Sequence, residues 1–153
     1  LGLSRGLVHP EVDTRLLFDE DLVLTVHPRH SLASKTHVQF TDLAVEPLIL
    51  YDAGSSYTML IEQVFKEAGI VPRVEMSLDG VDAVKRMVEL NMGISFLPRS
   101  AVRRENEDGS LKIVLLPPQH RMVLPTCLLV RRSQRYSDTV RMFISILQAI
   151  YGN

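Results

Sequence analysis

The stretch between Pro47 and Pro98 constrains this chain more than any other. Leu48-Ile49-Leu50-Tyr51 is a short, continuous apolar run bounded by turn residues, the pattern of a strand buried in a parallel sheet. Asp52-Ala53-Gly54-Ser55-Ser56 follows as a loop. Tyr57, Leu60, Ile61, Val64, Phe65 and Ala68 then recur at spacings of three and four, one apolar stripe of a helix that Gly69 is placed to end. Residues 73–77 read as a second strand. Asp79 reads as the cap of a second helix with Val81, Val84, Met87, Val88 and Met92 inward, and residues 94–97 as a third strand stopped by Pro98. Strand–helix–strand–helix–strand with short loops is two βαβ units, which predicts a parallel sheet with right-handed crossovers.

The flanks are less self-contained. Residues 15–18 and 22–26 read as two strands around the acidic turn Asp19-Glu20-Asp21, and residues 27–47 as mostly polar connection with a helical turn at 40–44. Beyond Pro98, residues 100–106 form a polar helix, 107–110 a turn, and 111–116 a strand ended by Pro117-Pro118. Leu124, Thr126, Leu128 and Val130 mark another strand, in which Pro125 implies an edge or a bulge. The last helix carries the stripe Val140, Phe143, Ile144, Leu147, Ile150 and Tyr151, with Gly152 as its stop. These pieces are too few for a complete second lobe.

The composition excludes several functions. With 17 basic and 18 acidic residues the net charge is −1, and Arg103-Arg104 and Arg131-Arg132 are isolated pairs. A nucleic-acid-binding surface normally needs a basic excess on one face, so this chain by itself is not expected to hold DNA tightly. No apolar run reaches the roughly 20 residues that span a bilayer, and no membrane role is expected. The one cysteine, Cys127, lies in an apolar run, which suits a reducing cytoplasm and leaves no intrachain disulfide. The abrupt start at Leu1, without an export signal, reads as a piece of something longer.

Two loops carry the strongest functional signal. Gly54, Ser55 and Ser56 join a buried strand to a helix, where the first backbone N–H groups lack internal partners and the dipole is positive. Gly54 permits close backbone approach and the serines offer hydroxyls, a cradle for a carboxylate, phosphate or sulfate. The plainer reading is that Ser55 or Ser56 only caps the helix, and that Asp79 does the same in the next unit. Ser77 and Asp79 occupy the equivalent place there, and in open α/β sheets ligands gather at the carboxyl ends of strands. His27 ends a strand and is the one histidine placed to face a cleft.

Catalysis has little to stand on. There is no GxSxG, P-loop or GxGxxG motif, and the aliphatic neighbours of Cys127 do nothing to lower its pKa. His9, His27, His30, His37 and His120 are scattered without metal-ligand spacing, so neither a metal nor a cofactor is expected.

The order of these features resembles the effector-binding domain of LysR-type transcriptional regulators. Leu22-Val-Leu-Thr-Val-His-Pro-Arg-His-Ser-Leu-Ala33 is similar to a strand and its "HPLA"-like ending in that family. Pro47-Leu-Ile-Leu-Tyr51 with its serine-bearing loop, Phe65-Lys-Glu-Ala-Gly69-Ile-Val-Pro72 and Val88-Glu-Leu-Asn-Met-Gly93-Ile-Ser-Phe-Leu-Pro98 resemble the second lobe, although Asn91 stands where many members have glycine. The resemblance covers essentially the whole chain.

It implies an α/β fold of Rossmann-like lobes with type 2 periplasmic-binding-protein-like architecture, one lobe complete and one partial. Residues 1–46 would be part of the first lobe, 47–116 the second, and 117–153 the return to the first. It also implies a small anionic effector in the cleft between lobes, against His27, Gly54, Ser55, Ser56, Ser77 and Asp79, with no catalytic residue. DNA would be reached only through a domain outside this chain, and RNA polymerase and further copies would be partners of the full-length protein. Family members pair through elements that here include residues 56–68 and 73–77; without their first-lobe counterparts the usual side-by-side dimer is not expected, and exposed edges would drive another association. Two readings compete: a solute-binding protein of similar fold serving a transporter, or an enzyme on a two-lobed scaffold with His27, Asp79 or Asp52 as acid–base groups.

Overall fold

A computed structural model describes residues 1–5, 8–132 and 135–151. Among the described residues, seven strands run in the order β1 (Gly2–Ser4), β2 (Val12–Val26), β3 (Pro47–Tyr51), β4 (Arg73–Leu78), β5 (Ser95–Pro98), β6 (Lys112–Val114) and β7 (Met122–Arg131). The same residues hold four interleaved α-helices: α1 (Ser56–Glu67), α2 (Val81–Glu89), α3 (Arg99–Asp108) and α4 (Asp138–Tyr151). The described residues form two compact units, one of residues 1–20 and 123–153 and the other of residues 21–122.

These units are cut elsewhere than the boundaries at 46/47 and 116/117 drawn from the sequence. The reason lies in β2. The acidic triplet does not turn: Asp19, Glu20 and Asp21 continue one strand through to Val26. The second half of that strand pairs antiparallel with β5 (Leu22 opposite Pro98, Thr25 opposite Ser95) and with β6 (Leu24 opposite Val114). Residues 21–46 therefore join the unit that contains the βαβ segments.

In that unit, the apolar runs become the core as their pattern requires. β3 pairs parallel with β4, from Pro47 opposite Arg73 to Tyr51 opposite Leu78. The link from β3 toward β5 is parallel too but short: Ile49 N–H donates to the Ile94 carbonyl at 2.9 Å, and Ile94 N–H to that of Pro47 at 2.8 Å. Ile49, Ile61, Val84, Val88, Ile94, Leu97 and Val102 are fully buried. Phe40, Phe65 and Phe96 pack ring to ring, with centroids 4.7 Å apart for the first two and 6.2 Å for the last two. Residues 40–45 form a 3-10 turn, which carries Phe40 into that cluster.

Both helices of this segment end in the same motif. After α1, Gly69 takes φ +69°, Ile70 N–H donates to Phe65 and Gly69 N–H to Lys66. After α2, Asn91 takes φ +58°, Met92 N–H donates to Met87 and Asn91 N–H to Val88. This is the Schellman pattern, which needs a left-handed residue just past the helix. Asparagine tolerates that conformation better than most non-glycine residues, which suits Asn91 to this place.

In the other unit β1 pairs antiparallel with β7, and β7 lies beside β2. Leu17, Leu128 and Val130 form its buried cluster, against which Tyr136, Ile144 and Leu147 pack. Pro125 lies inside β7, and Cys127 is buried with a free thiol. The stripe expected on α4 is covered only in part. None of its residues is buried, and Met142, Phe143, Ile146, Ile150 and Tyr151 are exposed. Gly152, expected to stop this helix, lies outside the described residues.

Candidate functional site

The parallel pairing of β3 with β4 decides which candidate residues meet. Because Leu50 lies opposite Ser77 and Tyr51 opposite Leu78, the loops that follow both strands leave the sheet at one edge. Gly54, Ser55, Ser56, Ser77 and Asp79 all belong to that edge. Gly54 (φ +87°) and Gly80 (φ +82°) turn the chain from strand to helix, in a conformation that other residues adopt at a cost.

Ser55 is the N-cap of α1. Its Oγ accepts a hydrogen bond from the Thr58 N–H at 3.1 Å, and its carbonyl accepts the Met59 N–H at 3.0 Å. Asp79 does not cap α2. Gly80 holds that place without a side-chain bond, and Asp79 is exposed beside it. The extra residue of the turn moves the carboxylate one position away from the cap.

His27 is not brought to this edge. β2 runs antiparallel to β5, so His27 lies just beyond the Thr25–Ser95 pair, level with the start of β3. The five residues of β3 separate it from Ser55 by about 15 Å along the strand direction. There its Nδ1 accepts the Arg29 N–H at 3.1 Å, and its carbonyl accepts the His30 N–H at 2.9 Å. His30 caps the following 3-10 turn and meets Glu46 at 3.3 Å. The His27-Pro-Arg-His30 segment is thus built into a local turn.

Behind the edge lies a support that the sequence reading missed. Thr58 is buried, and its hydroxyl donates to the Tyr51 carbonyl at 3.0 Å. Tyr51 is buried as well and donates from its hydroxyl to the Phe96 carbonyl at 3.1 Å, tying β3 to β5. Burial pushes the phenol pKa far up, with the neighbouring Tyr57 adding to the shift, so the proton stays in place as donor. The Tyr51 and Tyr57 rings lie 4.9 Å apart. The available signal was a tyrosine ending an otherwise aliphatic strand, since a buried phenol needs a partner.

The two helix starts differ in charge. α2 has Asp82 in its first turn with Asp79 just before it, whereas α1 has no acidic residue in its first turn. The positive dipole end of α2 thus has carboxylates beside it, whereas that of α1 has the Ser55 hydroxyl as its cap. Asp52 and Asp79 are exposed. Among the described residues, no group of three or more His, Cys, Asp or Glu side chains is placed to hold a metal ion, and no helix is long and apolar enough to cross a membrane.

Comparison with known proteins adds an independent line. The family model described as "LysR substrate binding domain" matches residues 1–151. The HTH-type transcriptional regulator YusT of Bacillus subtilis (strain 168) is 28% identical over 136 residues, which are 89% of this chain and 43% of that protein. Among solved structures, the CcmR regulatory domain of Synechocystis PCC6803 in complex with 2-PG superposes with a TM-score of 0.86 at 21% identity. The match covers 99% of this chain and 73% of that one. The effector binding domain of QuiR in complex with shikimate gives 0.80 at 19% identity, over 97% and 70%. The chain therefore spans less than half the length of the regulator it matches, and likenesses at such identities establish the fold.

Proposed function

The chain belongs to the LysR substrate-binding-domain family, and from that premise we propose that it is the ligand-sensing part of a transcriptional regulator, taking a small anionic metabolite at the shared edge of β3 and β4. The observation that carries this reading is the meeting of two glycine-turned strand-to-helix loops at one sheet edge, of which only the α1 side lacks acidic residues in its first turn. An anionic group fits the α1 start, near Gly54, Ser55 and Ser56. Ser77 and Asp79 are then placed to meet the rest of the molecule, a hydroxyl-bearing part suiting the Asp79 carboxylate. Shikimate, the ligand of the QuiR domain, has this chemistry of carboxylate and hydroxyls.

In this reading the chain makes and breaks no covalent bond. The ligand binds one of two conformations more tightly and shifts their populations by that difference. DNA is contacted by a part of the longer protein outside these 153 residues, and copies of that protein and RNA polymerase are its partners in a cytoplasmic setting.

A thermal-shift screen of small carboxylates, sulfated compounds and amino-acid precursors tests the proposal. A true ligand at one hundred times its Kd stabilises the folded state by about 2.7 kcal/mol. The Ser56→Asp variant separates this site from others, because an aspartate in the first turn suits a helix yet repels an anion. Loss of the ligand-induced shift with unchanged basal stability is expected. A shift that persists undiminished in the variant would sink the proposed site.

A further inference from the structure

A second polar constellation sits away from the α1 start, around Asp21. Arg121 Nη2 and Nε both reach Asp21 Oδ1, at 2.8 and 2.9 Å, which leaves Oδ2 on the side of Arg99. Arg99, the first residue of α3, approaches the same side chain only to 3.9 Å through Nε. That separation is too long for a hydrogen bond. One carboxylate therefore faces two guanidinium groups, and among the described residues the Arg99 guanidinium makes no hydrogen bond. Both arginines line a cavity of about 230 Å³ in the unit of residues 21–122.

Apart from the two arginines and His120, the side chains that line the cavity are apolar. Leu22, Leu24, Phe96 and Val114 line it, each less than a tenth exposed, together with Leu115, which is 76% exposed. His120 also lines it, with its ring held by stacking on Phe40 at 4.4 Å. A largely apolar cavity lined by two guanidinium groups that share one carboxylate is suited to a molecule with an apolar body and one acidic group. Arginine also matches a carboxylate with two parallel donors, and it is desolvated more readily than lysine.

We propose that this cavity is a second binding site, for a compact organic acid whose carboxylate takes the guanidinium of Arg99 and whose hydrocarbon part rests on Leu22, Leu24 and Phe96. It differs from the β3–β4 edge in chemistry. The edge offers backbone, hydroxyls and a helix end, and suits a polar anion; the cavity offers a full cation over hydrocarbon and suits an apolar one.

Amide chemical-shift mapping on this chain, titrated with cyclohexanecarboxylate, its neutral amide and acetate, tests the assignment. The acid is expected to shift residues 22–24, 96, 99 and 113–116, with the amide and acetate each much weaker. Arg99→Gln, at a half-exposed surface position, is expected to weaken the acid about tenfold, as loss of a charge-assisted hydrogen bond does. It should leave the remainder of the spectrum unchanged. Ser56→Asp is expected to leave this binding intact, which keeps the outcome independent of the site at the β3–β4 edge. Acid and amide binding alike, shifts confined to residues 52–58 and 77–81, no shift at millimolar acid, or full binding by Arg99→Gln would each overturn the proposal.

Discussion

Replacing Gly93 by alanine probes how closely the strands beneath the candidate site are packed. A Cβ built at Gly93 would lie 2.4 Å from the Pro47 carbonyl oxygen, 3.2 Å from its carbon and 3.1 Å from Ile49 Cγ1. Carbon and carbonyl oxygen ordinarily meet no closer than about 3.3 Å, so the two backbones must separate by about 0.9 Å. That carbonyl also accepts the Ile94 N–H at 2.8 Å, and a comparable stretch takes this bond out of range. Loss of the bond costs about 1 kcal/mol and forced overpacking about 2 kcal/mol more. Alanine returns about 0.7 kcal/mol by restricting the unfolded chain. The net expectation is about 2 kcal/mol, or a fall in Tm of about 4–8 °C for a chain of this size. Urea unfolding followed by circular dichroism measures it, and the slope against urea should not change. Near-ultraviolet signals of Tyr51 should change as well, since the same shift loosens its bond to Phe96. Gly109→Ala is the control, because φ is +81° there and no atom lies within 4 Å, leaving conformational strain alone. If Gly93→Ala unfolds within about 0.5 kcal/mol of the parent, the close approach is not a constraint and this reasoning fails.

Other expectations follow from the same structure. Asn91→Gly is expected to hold or raise stability by up to about 1 kcal/mol, whereas Asn91→Val should lower it by about 1–2 kcal/mol, since a branched residue resists positive φ; paired urea curves decide this. Ser55→Ala should cost about 1 kcal/mol through loss of the cap, and Asp79→Ala should cost little because Gly80, not Asp79, begins α2; equal costs would contradict the assignment. Lys85 and Glu105 pair at 2.9 Å between α2 and α3, which holds the Glu105 carboxyl below its ordinary pKa and the Lys85 ammonium above its own. A depressed carboxyl contributes above its unfolded pKa and loses that contribution as pH falls through its folded value. The stability difference between the parent and Glu105→Gln should therefore be present at neutral pH and close below about pH 4. A difference that is unchanged in acid would assign it to packing instead.

Much of the fold was legible because its signals are local. The stripe from Tyr57 to Ala68, the aliphatic run before Asp52 and the positions of Gly69 and Pro98 each act within a few residues, where backbone sterics and side-chain period dominate. The acidic triplet misled for the opposite reason. Asp19-Glu20-Asp21 has the composition of a turn, yet Asp21 meets Arg121 and Arg99 from distant segments, and β2 stays extended because β5 and β6 pair with its second half. The α4 stripe likewise followed the helical period, but period marks the face that can be buried, not how far it is buried.

The candidate site divides along the same line. Sequence alone determined that two glycine- and serine-bearing loops follow parallel strands, and parallel pairing then requires those loops to share an edge. It could not determine that His27 lies at the other end of the sheet, since strand direction relative to β5 is a long-range choice of hydrogen-bond partners. Nor could it show that Tyr51 reaches the Phe96 carbonyl or that Arg99 lines a cavity with Leu22, Leu24 and Phe96. Those facts depend on which segments, tens of residues apart, are brought within hydrogen-bonding distance, and only the assembled tertiary structure decides that.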